Sequence, residues 1–168
     1  MTASVPGSPF GGYWAPQSLA IDPLSRFLFV LNNNSSTIDA HTINQNNGAL
    51  TKAPGSPFNT GSYPIASTID PSGRFIYVIS NNDNTITAFS INQTTGALTP
   101  VPGSPFHTLW FPGTLVFDPT GKYAYMTTTN DGALYLYIMN PATGALTQVP
   151  GVYPWCNGWG FAMGYTVP

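Results

Sequence analysis

Short apolar segments, separated by turn residues, follow one another along the whole chain. Each unit begins with a brief apolar segment such as SLAI, continues with a longer one such as FLFVLN, and then reads TIDAHTIN or TITAFSIN. Enrichment in β-branched and aromatic residues is typical of β-strands. In TITAFSIN one side carries Ile86, Ala88 and Ser90, and the other carries Thr87, Phe89 and Ile91. This period of two, without any long 3.6-residue stripe, predicts an all-β chain.

The recurring segment VPGSPF indicates that one structural unit is repeated. It begins at Val5, returns at Ala53 and Val101 and fades into VPGVYP at Val149, at a step of 48 residues. Periods of about 40 to 50 residues occur in propeller blades, each built from four short strands. We therefore predict a β-propeller with three four-stranded antiparallel blades and partial blades at both ends. Residues 1–168 form one domain, with repeats 5–52, 53–100, 101–148 and a partial repeat 149–168.

An Asp-Pro turn joins the first and second strands of every unit. Aspartate caps such a turn through its side chain, and proline presets the backbone for a type I turn. A basic residue follows four positions after each aspartate, so an ion pair is predicted in every blade. The three pairs are Asp22 with Arg26, Asp70 with Arg74, and Asp118 with Lys122. We assign these residues, which are most of the charged residues of the chain, a structural role.

The low charge of the chain excludes several functions. Charged residues make up 6% of the sequence, glutamate is absent, and the formal net charge is −2. No basic field is available for nucleic acid or an anionic membrane, and no apolar stretch is long enough for a membrane span. Cys156, His41 and His107 form no ligand set, so no metal and no other cofactor are predicted. Because uncharged polar residues must provide the soluble surface, we expect an extracellular or cell-surface protein, although no signal peptide is recognisable in this sequence.

The run from Asp70 to Phe106, DPSGRFIYVISNNDNTITAFSINQTTGALTPVPGSPF, resembles the repeats of a known family. It is similar to lactonase-type β-propellers, which include 6-phosphogluconolactonase-like and YVTN-repeat proteins. The matching elements are D-P-x-G-[RK]-[FY]-x-Y-V followed by Asn, and the I-N-x-x-T-G-x-L-T turn. The resemblance implies a ring of seven blades, longer than this chain, and for some members the opening of sugar lactones. Since glutamate is absent and the charges fall mostly in turns, we transfer the fold and no catalytic residue.

Aromatic side chains concentrate in the loops that precede the first strand of each unit, which read GGYWAP, NTGSYP, HTLWFP and WCNGWG. In a four-stranded meander these loops share one face with the Asn-rich turns between the second and third strands. Flat rings beside amide groups are typical of carbohydrate sites and protein interfaces, and packing between blades is the alternative. The residues predicted to form an interface or ligand site are Trp14, Tyr63, Trp110, Phe111, Trp155, Trp159, Phe161 and Tyr165.

Two functions compete for this sequence. The first is a non-enzymatic extracellular module that self-associates, with two chains closing a ring or many forming a filament, and with carbohydrate as a further ligand. The alternative is a lactonase-like hydrolase of sugar lactones, with the chain as a piece of a longer propeller. A hydrolase predicts a charged channel, whereas the first strands carry only Ser18, Ser67, Thr68 and Thr114 as polar residues before the closing aspartate. The composition of these strands therefore favours the non-enzymatic function.

Overall fold

Three antiparallel sheets follow one another along the chain, one for each predicted blade. The computed structural model describes residues 5–13, 15–109, 111–129 and 132–150. Blade 1 contains β1 (Pro16–Ile21), β2 (Phe27–Asn32), β3 (Thr37–Ile43), β4 (Leu50–Lys52) and β5 (Phe58–Asn59). Blade 2 contains β6 (Pro64–Ile69), β7 (Phe75–Ser80), β8 (Thr85–Ile91), β9 (Leu98–Pro100) and β10 (Phe106–His107). Blade 3 contains β11 (Pro112–Phe117), β12 (Tyr123–Thr128), β13 (Leu134–Met139) and β14 (Leu146–Gln148).

Consecutive strands pair within each sheet, which confirms the predicted all-β propeller fold. In blade 1, Phe29 of β2 lies opposite Ala20 of β1 and Ala40 of β3. In blade 2, β7 is buried along its whole length because both faces of the sheet are covered by a neighbouring blade. Within the described residues, no helix is long and apolar enough to cross a membrane.

The first two sheets contain a short outer strand that the sequence analysis missed. β4 and β5 pair with opposite ends of the same edge of β3, and β9 and β10 do the same on β8, so the four predicted positions in each sheet are confirmed and the fourth is divided into two segments. The second segment has two residues, too few to show an alternating pattern. Their aromatic residues, Phe58 and Phe106, pack against the cores between the blades.

Two apolar cores hold the blades together. We call the face of a blade that points to the preceding blade its leading face, and the opposite face its trailing face. The first core joins blade 1 to blade 2 and includes Phe27, Phe29, Leu31, Ile38, Ile76, Val78 and Phe89. The second core joins blade 2 to blade 3 and includes Phe75, Tyr77, Ile79, Ile86, Leu115, Met126, Tyr135 and Tyr137. The alternation predicted for β8 is confirmed, because Ile86 lies in the second core and Phe89 in the first.

Asparagine side chains join neighbouring blades at one end of the sheets. Asn33 donates its Nδ2–H to the Pro64 carbonyl at 2.9 Å, and Asn81 donates to the Pro112 carbonyl at 3.2 Å. Both prolines begin the first strand of the next blade. The bond therefore fixes each inner strand to the β-turn of the blade before it.

Arginine side chains make the corresponding connection at the other end. Arg26 donates to the main-chain and side-chain oxygens of Gln93, at 3.2 Å and 2.8 Å. Arg74 donates to the Pro141 carbonyl. Gln93 and Pro141 lie in the Thr-Gly turns of blades 2 and 3, so each Asp-Pro turn is tied to the following blade.

The predicted ion pair of the Asp-Pro turn forms only in blade 1. Arg26 Nε lies 3.0 Å from Asp22 Oδ2. Among the described residues no ion pair joins Asp70 to Arg74 or Asp118 to Lys122, and the prediction is wrong for these two turns.

A hydroxyl group at the third position of the turn explains the difference. Ser72 and Thr120 donate their hydroxyls to Oδ2 of Asp70 and Asp118, and Arg74 Nε reaches Ser72 Oγ at 3.2 Å instead of the carboxylate. The first turn has Leu24 there, which leaves Asp22 Oδ2 available to Arg26. In all three turns Oδ1 accepts the N–H of the next strand's first residue, Phe27, Phe75 or Tyr123. The Thr120 hydroxyl, followed by the main-chain N–H groups of Tyr123, Thr120 and Lys122, lowers the pKa of Asp118.

Candidate functional site

The inner strands β1, β6 and β11 lie side by side and form the described part of the hub. β6 neighbours both β1 and β11. Between blades 1 and 2 the hydroxyls of Ser18 and Ser67 are 3.0 Å apart and share a hydrogen bond. In blade 3, Leu115 takes the position of Ser67 and lies in the second apolar core. The hub therefore changes from polar to apolar contact between the two blade pairs.

Hydroxyl groups supply the side-chain chemistry of these inner strands. Besides the serines, Thr68 is half-buried and Thr114 is exposed. No charged or imidazole side chain occurs in β1, β6 or β11. Hydroxyls can bind and orient a polar ligand, whereas activating water requires a base, a metal or convergent donors. The described inner strands can thus hold a ligand, and a base would have to come from another element of the chain.

Two of the predicted aromatic residues stand at the end of the hub where the inner strands begin, which we call the rim. Tyr63 is 52% exposed and Phe111 is 41% exposed, each directly before the proline that starts its strand. Their φ angles are 54° and 50°, in the left-handed region that is uncommon for such residues. Ala15 has a φ of 51° at the same repeat position, so this backbone conformation is a property of the repeat and does not depend on an aromatic side chain.

Main-chain and side-chain bonds hold the rim loops in place. The Asn81 N–H donates to the Tyr63 carbonyl at 3.1 Å, and the Phe111 N–H donates to Asn84 Oδ1 at 2.8 Å. The Ser62 N–H donates to Asp83 Oδ2 at 2.5 Å. The structure therefore brings the aromatic loops and the Asn-rich turn to one face, as the sequence predicts. Glycan binding there stays a prediction.

The other predicted interface residues lie outside the described part of the chain. They are Trp14, Trp110, Trp155, Trp159, Phe161 and Tyr165. Their contribution to an interface or ligand site therefore stays a prediction.

A polar cluster on the leading face of blade 1 was not found from the sequence. Asp39 accepts hydrogen bonds from Asn32 Nδ2 at 2.8 Å and pairs with Lys52 Nζ at 2.8 Å. His41 Nε2 lies 3.4 Å from the Tyr13 hydroxyl, with the two rings in an edge arrangement 5.9 Å apart. Comparison of the repeats could have found it, because Thr87 and Phe89 occupy these positions in blade 2.

Burial shifts the pKa values of His41 and Tyr13 in this cluster. It lowers the pKa of His41, an effect that the Asp39 carboxylate opposes and Lys52 adds to. It also raises the pKa of Tyr13. Within the described residues no group of three or more His, Cys, Asp or Glu side chains could hold a metal ion. At neutral pH the cluster thus contains an uncharged His41 beside the Asp39 carboxylate, which pairs with Lys52.

The repeat sequence identifies the family. Residues 54–154 match the family described as "Lactonase, 7-bladed beta-propeller". The chain belongs to this lactonase-type propeller family. No curated protein sequence matches it.

Solved structures share the fold of this lactonase-family chain at low sequence identity. A Bacteroides fragilis protein, provisionally named 6-phosphogluconolactonase, superposes with a TM-score of 0.73 at 20% identity, covering 80% of this chain and 37% of that one. The periplasmic gluconolactonase of Pseudomonas aeruginosa gives 0.69 at 20% identity, covering 85% and 41%. A Desulfotomaculum acetoxidans protein of unknown function gives 0.71 at 23% identity, covering 82% and 42%. The chain spans about two fifths of the length of these structures.

Proposed function

We propose that this chain hydrolyses sugar lactones. The observation that carries this proposal is the family match over residues 54–154, which covers the repeats of blades 2 and 3. It is supported by the names of two structural relatives, a 6-phosphogluconolactonase and a gluconolactonase. The described inner strands add hydroxyl groups at the hub, where a ligand's own hydroxyls find donors and acceptors.

The placement of cations makes a neutral lactone the better substrate for these blades. The chain has four lysine and arginine residues. Arg26, Arg74 and Lys122 follow the Asp-Pro turns, and Lys52 pairs with Asp39 on the outer part of blade 1. None lies on an inner strand, so the described inner strands offer no cationic partner for a phosphate group.

A hydrolysis assay tests the proposal. We expect the purified chain to hydrolyse glucono-δ-lactone faster than buffer alone and faster than 6-phosphogluconolactone, followed by acid release in a pH-stat. Tyr63→Ala at the rim should raise KM, whereas Thr51→Ala on the exposed strand β4 should change nothing. A rate equal to the spontaneous rate for both lactones would contradict the proposal.

Self-association is a second candidate, favoured by two open faces of the blades. The leading face of blade 1 exposes Leu19 (65%) and Ile21 (55%), and the trailing face of blade 3 exposes Val116 (53%) and Ile138 (42%). Inside the chain, faces of these two kinds bury each other in both cores. Exposed apolar surface of this sort marks an interaction site. The proposed partner is a second copy, in a closed ring or a filament.

Light scattering on a sizing column measures this association directly. We expect a mass above that of one chain for the native protein and a lower mass for Ile138→Lys, which places a charge on the trailing face. The matched control is Leu24→Lys, because Leu24 is 67% exposed in the Asp-Pro turn, outside the strands that form the two open faces. A native protein that elutes as a monomer at all concentrations would exclude this candidate and leave the lactonase proposal standing.

A further inference from the structure

A cavity of about 340 Å³ lies between blades 1 and 2, outside the hub. Its walls are the loop Asn59–Gly61, the start of β8 with Asp83, Thr85 and Thr87, and the outer segment that contains Ser104 and Pro105. Phe89 and Pro100 complete the lining. Its volume is near the lower limit of about 300 Å³ for small-molecule pockets.

The cavity is a property of this blade pair and not of the repeat. Leu109 and Tyr135 stand at the repeat positions of Gly61 and Thr87 in the contact between blades 2 and 3, and Tyr135 is buried in the second core. In front of blade 1, Tyr13 takes the position of Gly61 and packs on His41. Small residues at both positions therefore coincide only between blades 1 and 2.

Glycine at position 61 is required by the side chains beneath it. A Cβ atom there would come within 2.7 Å of Ser80 Cβ and 2.9 Å of Thr85 Oγ1. Ser80 and Thr85 are buried, and neither hydroxyl has a hydrogen-bond partner among the described residues. Buried hydroxyls without partners are rare and call for an explanation. Here Thr85 lines the cavity, and Ser80 lies directly beneath Gly61 in its wall.

The remaining lining can bind a hydroxylated ligand. Asp83 is oriented by the Ser62 N–H on Oδ2, and its Oδ1 has no hydrogen bond to a described residue. Thr87 and Asn59 also face the cavity without side-chain bonds among the described residues. Together they present a charged acceptor, a hydroxyl and an amide above the apolar side chains of Phe89 and Pro100. No lysine or arginine lines the cavity, which disfavours an anion.

We propose that this cavity binds one ring of a neutral sugar. Asp83 accepts hydrogen bonds from two ring hydroxyls, Thr87 and Asn59 exchange bonds with others, and the C–H surface of the ring contacts the proline and phenylalanine. The volume accommodates a single ring and not a chain of several. This site adjoins the rim through the Ser62–Asp83 hydrogen bond but lies outside the hub, and it does not depend on lactone hydrolysis.

Amide chemical shifts in the presence of D-glucose, D-galactose and D-mannose test this proposal. We expect at least one of the three sugars to shift the backbone amides of Asp83, Thr85 and Thr87 saturably in the millimolar range. Thr87→Tyr copies blade 3 and fills the cavity, and we expect it to weaken binding by about tenfold or more. Asp83→Asn keeps the shape and removes the charged acceptor, and the loss should be smaller.

Thr51→Tyr is the matched control, because it makes the same substitution on the exposed strand β4 of blade 1 and should leave binding unchanged. Native amide dispersion in each variant shows that it has folded. The proposal is overturned if none of the three sugars gives saturable shifts. It is also overturned if Thr87→Tyr and Asp83→Asn both fold and bind as the native protein does.

Discussion

The contact between blades 1 and 2 and the contact between blades 2 and 3 use the same connections at their ends. Asn33 and Asn81 donate to the proline that begins the next inner strand, and Arg26 and Arg74 donate into the next Thr-Gly turn. These bonds satisfy main-chain carbonyls at fixed repeat positions. The hydrogen-bonded frame therefore sets the spacing of the blades in both contacts.

The residues between these ends differ. The first contact is lined by phenylalanine, isoleucine and valine, includes the Ser18–Ser67 bond, and leaves a cavity beside Gly61. The second contact contains three tyrosines, including Tyr77, whose hydroxyl donates to the Gly144 carbonyl at 2.8 Å. Burial, with a smaller contribution from Asp70, raises the pKa of Tyr77 and keeps it a donor. A repeated frame thus permits one contact to be filled and another to stay open.

Of the variants considered, removal of the Tyr77 ring should lower the free energy of unfolding the most. Tyr77 is fully buried, so Tyr77→Ala is expected to cost about 3–5 kcal/mol of the free energy of unfolding. Tyr77→Phe copies Phe29 of blade 1 and should cost only about 1 kcal/mol, for the lost bond to Gly144. Urea unfolding measures both. Equal losses for the two variants would show that the hydrogen bond, and not ring packing, dominates the second contact.

Filling the first contact should have the next largest effect. Gly61→Leu copies Leu109 of blade 3, but its Cβ would collide with Ser80, and we expect a loss of about 1–3 kcal/mol. The reverse substitution, Leu109→Gly, removes a half-exposed side chain and should cost less than about 1 kcal/mol. Thermal unfolding compares the two. If Gly61→Leu is neutral, the close approach of Gly61 to Ser80 does not limit this contact.

Exchanging the residue at the third position of the Asp-Pro turn should change stability only slightly. Leu24→Ser introduces the hydroxyl of blade 2 and should replace the Asp22–Arg26 ion pair, changing stability by less than about 1 kcal/mol because the Arg26 side chain is 30% exposed. Ser72→Leu is the reciprocal variant and should let Arg74 pair with Asp70. A crystal structure of Ser72→Leu in which Arg74 does not approach Asp70 would disprove the role given to the hydroxyl.

The smallest expected effect is a pH dependence of stability that comes from His41 on the leading face of blade 1. Burial lowers the pKa of folded His41, so the unfolded chain binds a proton first as the pH falls below the ordinary histidine value of about 6.5. Stability from neutral His41 is therefore present at neutral pH and lost in acid. His41→Phe copies Phe89 and should reduce the loss between about pH 7 and pH 5. Identical slopes for the native protein and the variant would exclude His41 as the titrating group.

Much of the architecture followed from the sequence alone. The 48-residue step, the alternation in β8 and the Asp-Pro turns gave three blades, because strand periodicity and turn geometry are local properties. The same pattern placed Tyr63 and Phe111 on the face that holds the Asn-rich turns.

Only the tertiary structure decided how the repeats differ where they meet. The ion pairs of Asp70 and Asp118 were mispredicted because a neighbouring hydroxyl competes for the carboxylate at a distance that spacing does not reveal. The two-residue strands β5 and β10 exist because their aromatic side chains pack against another blade. The cavity beside Gly61 depends on the volumes of side chains from both blades, and the sequence pattern of a single strand does not show which side chains meet.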